Sequence, residues 1–163
     1  MIVCGADPGL GGALAFLDAS DLSAVEIFDI PVFQLTRGGK SKRELDLGQL
    51  VEILTAHRPD HAFVEQVAAM PKQGLSSTFS FGKTYGALLG VLAAYRVPVT
   101  LVAAVRWKRF LAVPAAKDAC RFRASQLLPG AASHWPLRKH DGRAESALLA
   151  VYGTRTLDGK GGT

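Results

Sequence analysis

The chain is poor in sulfur. It holds two Cys and two Met in 163 residues. A disulfide framework needs more cysteines, so Cys4 and Cys120 read as reduced core thiols of a cytoplasmic protein. No Cys/His pair has zinc-ligand spacing, which argues against a zinc centre. No apolar run approaches the ~20 residues that cross a bilayer. The first residues lack the basic-then-apolar pattern of a secretory signal, and the first charge is Asp7. Internal repeats are absent. Positive charge is missing from the first 36 residues, which carry five acids and no Lys or Arg.

The missing positive charge lies elsewhere. Residues 104–143 hold nine Lys or Arg against two Asp, a net +7 in a chain whose total is +5. Such a segment suits a polyanion, most often nucleic acid, or forms a solvated helical face. Hydrophobic residues make up 48% and charged residues 20%, which supports a packed core and argues against disorder. The length fits one domain, read as residues 1–153 with 154–163 as a flexible tail.

Apolar runs at 2–7, 12–18 and 24–30, joined by short turns, predict an antiparallel meander. Residues 36–44 ("TRGGKSKRE") read as a flexible basic loop. A helix is expected from an Asp46 cap to His57, then a buried strand at 61–66 and a loop. A long helix follows at 77–95, capped by Ser76 or Ser77. Its Gly82, Gly86 and Gly90 share one face and suggest either close packing on the sheet or approach of a nucleic-acid backbone. Residues 97–103 predict a strand and "VRWKRFL" a short basic helix. Pro114 is placed in the first turn of the next helix. A last helix runs from Asp141 or Gly142 to Tyr152, with Gly153 closing it. The fold class is therefore α/β: a five-stranded mixed sheet, three antiparallel strands then two parallel, with helices on both faces.

Four acids stand at element ends. Asp7 ends the first strand and Glu65 the fourth; Asp141 and Glu145 open the last helix on one face. If the first and fourth strands are neighbours, Asp7 and Glu65 come side by side. Clustered carboxylates repel one another and need cations, and hard oxygen donors suit Mg²⁺ or Mn²⁺. Two such ions can activate a water and stabilise the leaving oxygen of a phosphodiester. Each acid also has a plainer role. Asp7 can cap the glycine turn, Glu65 can pair with a cation, Asp141 can cap the last helix, and Glu145 can complement its dipole. His140 is an accessory candidate beside Asp141. The "ADPGLGG" turn fits sugar kinases as well as RNase H-like nucleases, but the kinase fold needs a much longer chain.

"GADPGLGGALAFLD", "FVEQ", "SFGKTYGALLGVL", "VRWKRFL" with "KDACRFRASQLLP", and "KHDGRAESALLAVYG" together resemble the RuvC-type Holliday junction resolvases, in particular their phage-like or prophage-like branch. The likeness spans residues 2 to 153. It implies an RNase H-like fold and cleavage of four-way DNA junctions by a homodimer using Mg²⁺, with two ions and Mn²⁺ as a substitute. It also implies a setting in the cytoplasm of a bacterial or phage-infected cell. Asp7, Glu65, Asp141 and Glu145 take the catalytic and metal-binding positions. The last-helix pair is spaced D-x-x-x-E rather than three apart, with Gly142 at the three-apart position. Asp141 or His140 therefore supplies the remaining role. Lys72, Lys83, Lys108, Arg109, Lys117, Arg121 and Arg123 are the expected DNA contacts, and Lys117 is also placed near the scissile phosphate. The aromatic wedge of the bacterial enzymes is missing after Glu65; Met70 or Phe79 would replace it, although a core position explains Phe79 and Phe81 more simply. Other readings are a nuclease for RNA, RNA–DNA hybrid or other branched DNA, and a non-catalytic junction-binding protein.

Overall fold

The computed structural model describes residues 1–68 and 74–159, without the side chains of residues 37 and 40. Strands β1 (Ile2–Ala6), β2 (Ala13–Asp18) and β3 (Asp21–Asp29) form the expected antiparallel meander. Strands β6 (His61–Gln66) and β7 (Val99–Ala103) add in parallel on the β1 side, giving the order β3-β2-β1-β6-β7. The sheet is thus five-stranded and mixed, as the residue pattern requires.

Between the meander and β6 lies an element that the glycine-rich composition concealed. Residues 36–44 are no loop: β4 (Val32–Arg37) and β5 (Lys40–Leu45) pair antiparallel across Gly38-Gly39. Both glycines have positive φ, 55° and 73°. That is the two-residue hairpin turn whose twist matches its strands and which side chains resist. Phe33 and Leu35 lie opposite Glu44 and Lys42 along this arm.

Helices cover both faces. On one, α1 (Leu47–His57) and α2 (Leu75–Ala94) pack over Cys4, Leu14, Phe16 and Val64. Asp46 caps α1 as expected, accepting from Gln49 N–H at 3.0 Å. On the other face lie α3 (Ala104–Phe110), α4 (Ala119–Leu127) and α5 (Asp141–Asp158), with Trp107 and Trp135 fully in the core. Two 3₁₀ turns, Pro129–His134 and Arg138–His140, join α4 to α5.

Several local expectations are corrected. Helix α2 starts at Leu75, with Gly74 rather than a serine at its cap. Pro114 lies ahead of α4, which instead starts after Asp118, a residue in the left-handed region at φ 65°. Gly153 does not end α5. The helix continues to Asp158, so residues 154–158 of the expected tail are helical, while 160–163 lie outside the described residues. Gly153 is small because Phe63 and Val3 press on it: a Cβ there would lie 2.4 Å from the Phe63 ring.

The glycine stripe of α2 does not touch the sheet. Nothing lies within 4 Å of a Cβ built on Gly82, Gly86 or Gly90, because the buried line of α2 is Ser80, Thr84, Leu88 and Leu92. The close helix-on-sheet contact is made by Gly5 under α5. A Cβ on Gly5 would lie 2.0 Å from the Ser146 carbonyl oxygen and 2.4 Å from the Ala150 nitrogen. This contact lowers the start of α5 onto the end of β1. Among the described residues no helix is long and apolar enough to cross a membrane.

Candidate active site

The parallel register pairs Ala6 with Val64, so Asp7 and Glu65 follow on neighbouring strands at the same end of the sheet. The turn after Asp7 is tight. Its N–H donates to the Ala13 carbonyl at 3.0 Å, and Gly12 N–H donates to Gly9 at 2.8 Å. Gly12 is obligatory there, since a Cβ would lie 2.2 Å from the Asp7 carbonyl oxygen. Helix α5 then sets its first turn on this turn. A Cβ on Gly142 would lie 2.7 Å from the Gly11 carbonyl oxygen and 2.9 Å from Asp7 Oδ2. The three-apart position is therefore filled by the backbone turn and the Asp7 carboxylate, leaving no room for a side chain.

Asp7, Glu65 and Glu145 act on one another electrostatically. Burial pushes the Asp7 carboxyl up to about 6; the Glu145 charge adds to this, while Gly9 N–H and Lys108 oppose it. Glu65 is pushed up to about 7 by burial, then by Glu145 and Asp7. Asp7 does accept from the turn, but burial outweighs that bond. A capping bond lowers a carboxylate pKa, and the Gly9 N–H bond to Oδ1, at 3.4 Å, is too long to win. Glu65 Oε2 is buried with no hydrogen-bond partner. Trp107 Nε1, also buried, lies close enough to Glu65 to lower its pKa yet makes no bond of normal geometry.

Lys108 is the cation in this group. It donates to Glu145 Oε1 at 2.8 Å and lies 5.0 Å from the Trp107 ring centroid. Burial works against its charge, but the Glu145 hydrogen bond and the nearby acids prevail and hold its pKa above the ordinary value. Cys120 belongs to the site's edge rather than the deep core. Burial, then the Glu145 charge, pushes its thiol up to about 12, and it donates to Glu145 Oε1 at 3.4 Å. Cys4 is fully buried in the sheet.

The structure thus brings together three of the four expected acids. Asp141 is held apart, bonded to Arg121 Nε at 2.7 Å, and Arg121 also pairs with Asp118. His140 lies among Arg143, Lys139, Asp29 and Arg121 rather than the acid cluster; burial and the cations push its pKa below the ordinary value. Among the described residues no three His, Cys, Asp or Glu converge closely enough to hold a metal ion as the side chains stand. The donor chemistry nonetheless fits a hard cation: the donors are carboxylates only, Asp7 and Glu65 are raised by burial and then by neighbouring acids, and one buried oxygen is unpartnered.

The expected DNA contacts divide. Lys83 pairs with Glu44, Lys108 with Glu145, and Arg121 with two aspartates. Arg123 donates to the Leu111 carbonyl at 2.6 Å and to Gln126 at 3.0 Å. Arg109 and Lys117 are exposed and carry no such bond. Met70 and Lys72 lie outside the described residues. Phe79 is no core residue: it is 73% exposed on α2, one turn after Leu75 at 90%.

No protein-family model and no curated protein matches the chain. Solved structures do. Thermus thermophilus RuvC matches with a TM-score of 0.59 at 21% identity over 96% of each chain. T. thermophilus RuvC in complex with Holliday junction substrate matches with 0.62 at 17% over 96% of each. The fowlpox virus Holliday junction resolvase matches with 0.53 at 15%, over 96% of this chain and 99% of that one. The fold is that of RuvC.

Within this RuvC fold, residue reading missed a set of side chains around the glycine turn that follows Asp7. Arg43 of β5 donates to the Leu10 carbonyl at 3.4 Å. Arg143 grips Asp29 with two bonds of 2.6 Å and donates to the His134 carbonyl at 3.1 Å. The signal for Arg43 was a Gly-Gly pair between extended runs, which marks a hairpin. The Arg143–Asp29 pair spans 114 residues, and no local pattern announces it.

Proposed function

We propose that the chain is a structure-selective DNA endonuclease of the phage-like RuvC type, resolving four-way junctions by metal-dependent phosphodiester hydrolysis. The observation that carries this reading is the half-buried trio Asp7, Glu65 and Glu145, with the unpartnered Glu65 Oε2, where the ends of β1 and β6 meet α5 in a RuvC fold. These three residues would hold Mg²⁺ or Mn²⁺. A divalent ion supplies there the charge that ionises an attacking water and stabilises the leaving oxygen.

The chain's own groups set the conditions. Asp7 and Glu65 must both be ionised to serve as ligands, and their mutual repulsion favours a cation between them. With all three acids ionised, Lys108 leaves the trio with a net −2, the charge one divalent ion balances; a second ion is expected together with the DNA phosphate. Trp107 and the α5 backbone over Gly142 keep the inner side of the trio dry, which strengthens every charge interaction there. Asp141 must leave Arg121 to join the trio. Arg109 and Lys117 are the expected cations for the DNA backbone on this side. A homodimer, with one site for each of two strands, belongs to the same reading, and the open Gly82/Gly86/Gly90 face is its candidate contact.

The test uses a labelled four-way junction and a matched linear duplex, with Mg²⁺ or EDTA, beside Asp7→Asn. Metal-dependent paired nicks confined to the junction, and lost in the variant, are expected. Binding without cleavage in Mg²⁺ and Mn²⁺ would instead make the chain a junction-binding protein. Cleavage of hybrid or RNA but not junction would move it to another RNase H-like substrate.

A further inference from the structure

A cavity of about 320 Å³ opens against the glycine turn that follows Asp7, and Lys108 is not among its lining residues. One wall is the bare backbone of Gly11 and Gly12, and the others carry Arg43, Lys139, His140 and Arg143. Among the described residues nothing lies within 4 Å of a Cβ built on Gly11, so this position of the wall faces open space, while α5 packs against the rest of the turn. The one acid lining it is Asp29, already neutralised by its two bonds to Arg143. Arg43 and Lys139 then leave the cavity at about +2 with His140 neutral. Neither is tied down. The Arg43 bond to Leu10 is long at 3.4 Å, and Lys139 is exposed with no ion pair.

Other cations of the basic segment are less available. Lys108, Arg121 and Arg123 are positive in sequence but already engaged by protein groups. A paired cation must give up its partner before it can bind a phosphate, whereas an unpaired one gains a charge-assisted bond outright. The cavity also shares its Gly11–Gly12 wall with the acid trio, because the same turn carries Asp7.

We propose that this cavity is a second phosphate subsite, in which Arg43 of the β4–β5 hairpin and Lys139 hold a DNA backbone phosphate flanking the one at the acid trio. The hairpin is then a DNA-positioning arm, and the strand is gripped at this turn as well as at the acid trio. The inference rests on the nuclease reading, since it needs nucleic acid at Asp7.

The test measures junction affinity against salt in EDTA, for the parent chain, Arg43→Gln/Lys139→Gln and Lys139→Gln alone. Each lost phosphate contact lowers the slope of log K against log salt by about 0.9. The double variant is expected to lose about 1.8 and Lys139→Gln about 0.9. Lys139→Gln keeps the test valid if the Arg43 change unfolds the hairpin. Junctions carrying one neutral methylphosphonate at successive positions locate the contact. A position beside the cleaved bond should weaken the parent and leave the double variant unaffected. Variants with the parent's slope and methylphosphonate profile overturn the subsite while leaving the nuclease reading intact. Inorganic phosphate bound by the parent, with DNA slopes unchanged in the variants, assigns the cavity to a free anion and also overturns it. A parent that binds no nucleic acid overturns both readings.

Discussion

Glu65 has a buried oxygen without a partner and two acidic neighbours, and Asp7 shares that repulsion. Both carboxyls are raised, so the folded state binds protons more tightly than the unfolded chain between pH ~4 and ~7. Their contribution to stability is greatest below pH ~4 and is lost as pH rises through about 6 and 7. The shifts correspond to roughly 3 kcal/mol for either group, and to less than twice that for the pair because the same repulsion enters both. Asp7→Asn removes one member. Without metal its melting temperature should exceed the parent's, by a margin that widens from pH 5 to pH 8. Saturating Mg²⁺ should erase or reverse the margin, because only the parent keeps the full ligand set. Thermal melts at four pH values, with and without Mg²⁺, check this; a margin that does not change with pH rules it out. Gly142 carries a second prediction. Gly142→Ala forces a Cβ against the Gly11–Gly12 turn and Asp7 Oδ2. Junction cleavage should fall by at least 100-fold while α5 stays folded by circular dichroism.

At the scale of elements, α5 matters most, because it carries Glu145 and presses its backbone onto β1. Gly5→Ala would place a Cβ 2.0 Å from the Ser146 carbonyl oxygen, and the clash is with backbone rather than a movable side chain. The helix must lift. The expected loss is about 3 kcal/mol or more by denaturant unfolding, together with loss of metal-dependent cleavage as Glu145 leaves the trio. The elements also show where residue patterns are informative. β1, β2, β6 and α1 were legible because apolar runs, caps and turn residues agree locally. The β4–β5 hairpin was not, because Gly-Gly among basic residues resembles a loop until the pairing of Val32–Arg37 with Lys40–Leu45 is seen. The end of α5 was misread at Gly153, where small size answers to the Phe63 ring rather than to a helix stop.

At the scale of the whole molecule, the open face of α2 is the least explained surface. Three interior glycines each disfavour a helix by about 1 kcal/mol relative to Ala, and no neighbour among the described residues requires them. Gly82→Ala/Gly86→Ala/Gly90→Ala should therefore raise the stability of an isolated chain by about 2–3 kcal/mol. If the face meets a second copy at close approach, the same variant should weaken dimerisation by sedimentation equilibrium and reduce paired nicking. A triple variant that is more stable and still dimerises moves the dimer contact elsewhere.

The amino-acid sequence by itself determined the sheet, its antiparallel and parallel halves, and the end-of-strand positions of Asp7 and Glu65, while the pairing of β1 with β6 brought the two acids together. The sheet and these positions follow from local periodicity. Tertiary structure alone decided which acid of the last helix joins them. Asp141 and Glu145 lie on one helical face, but Arg121 and Lys108 arrive from α4 and α3 to divide them. It also decided which basic residues remain available for a phosphate. Charge is legible in a sequence; its neutralisation is not, because the partner comes from a distant segment.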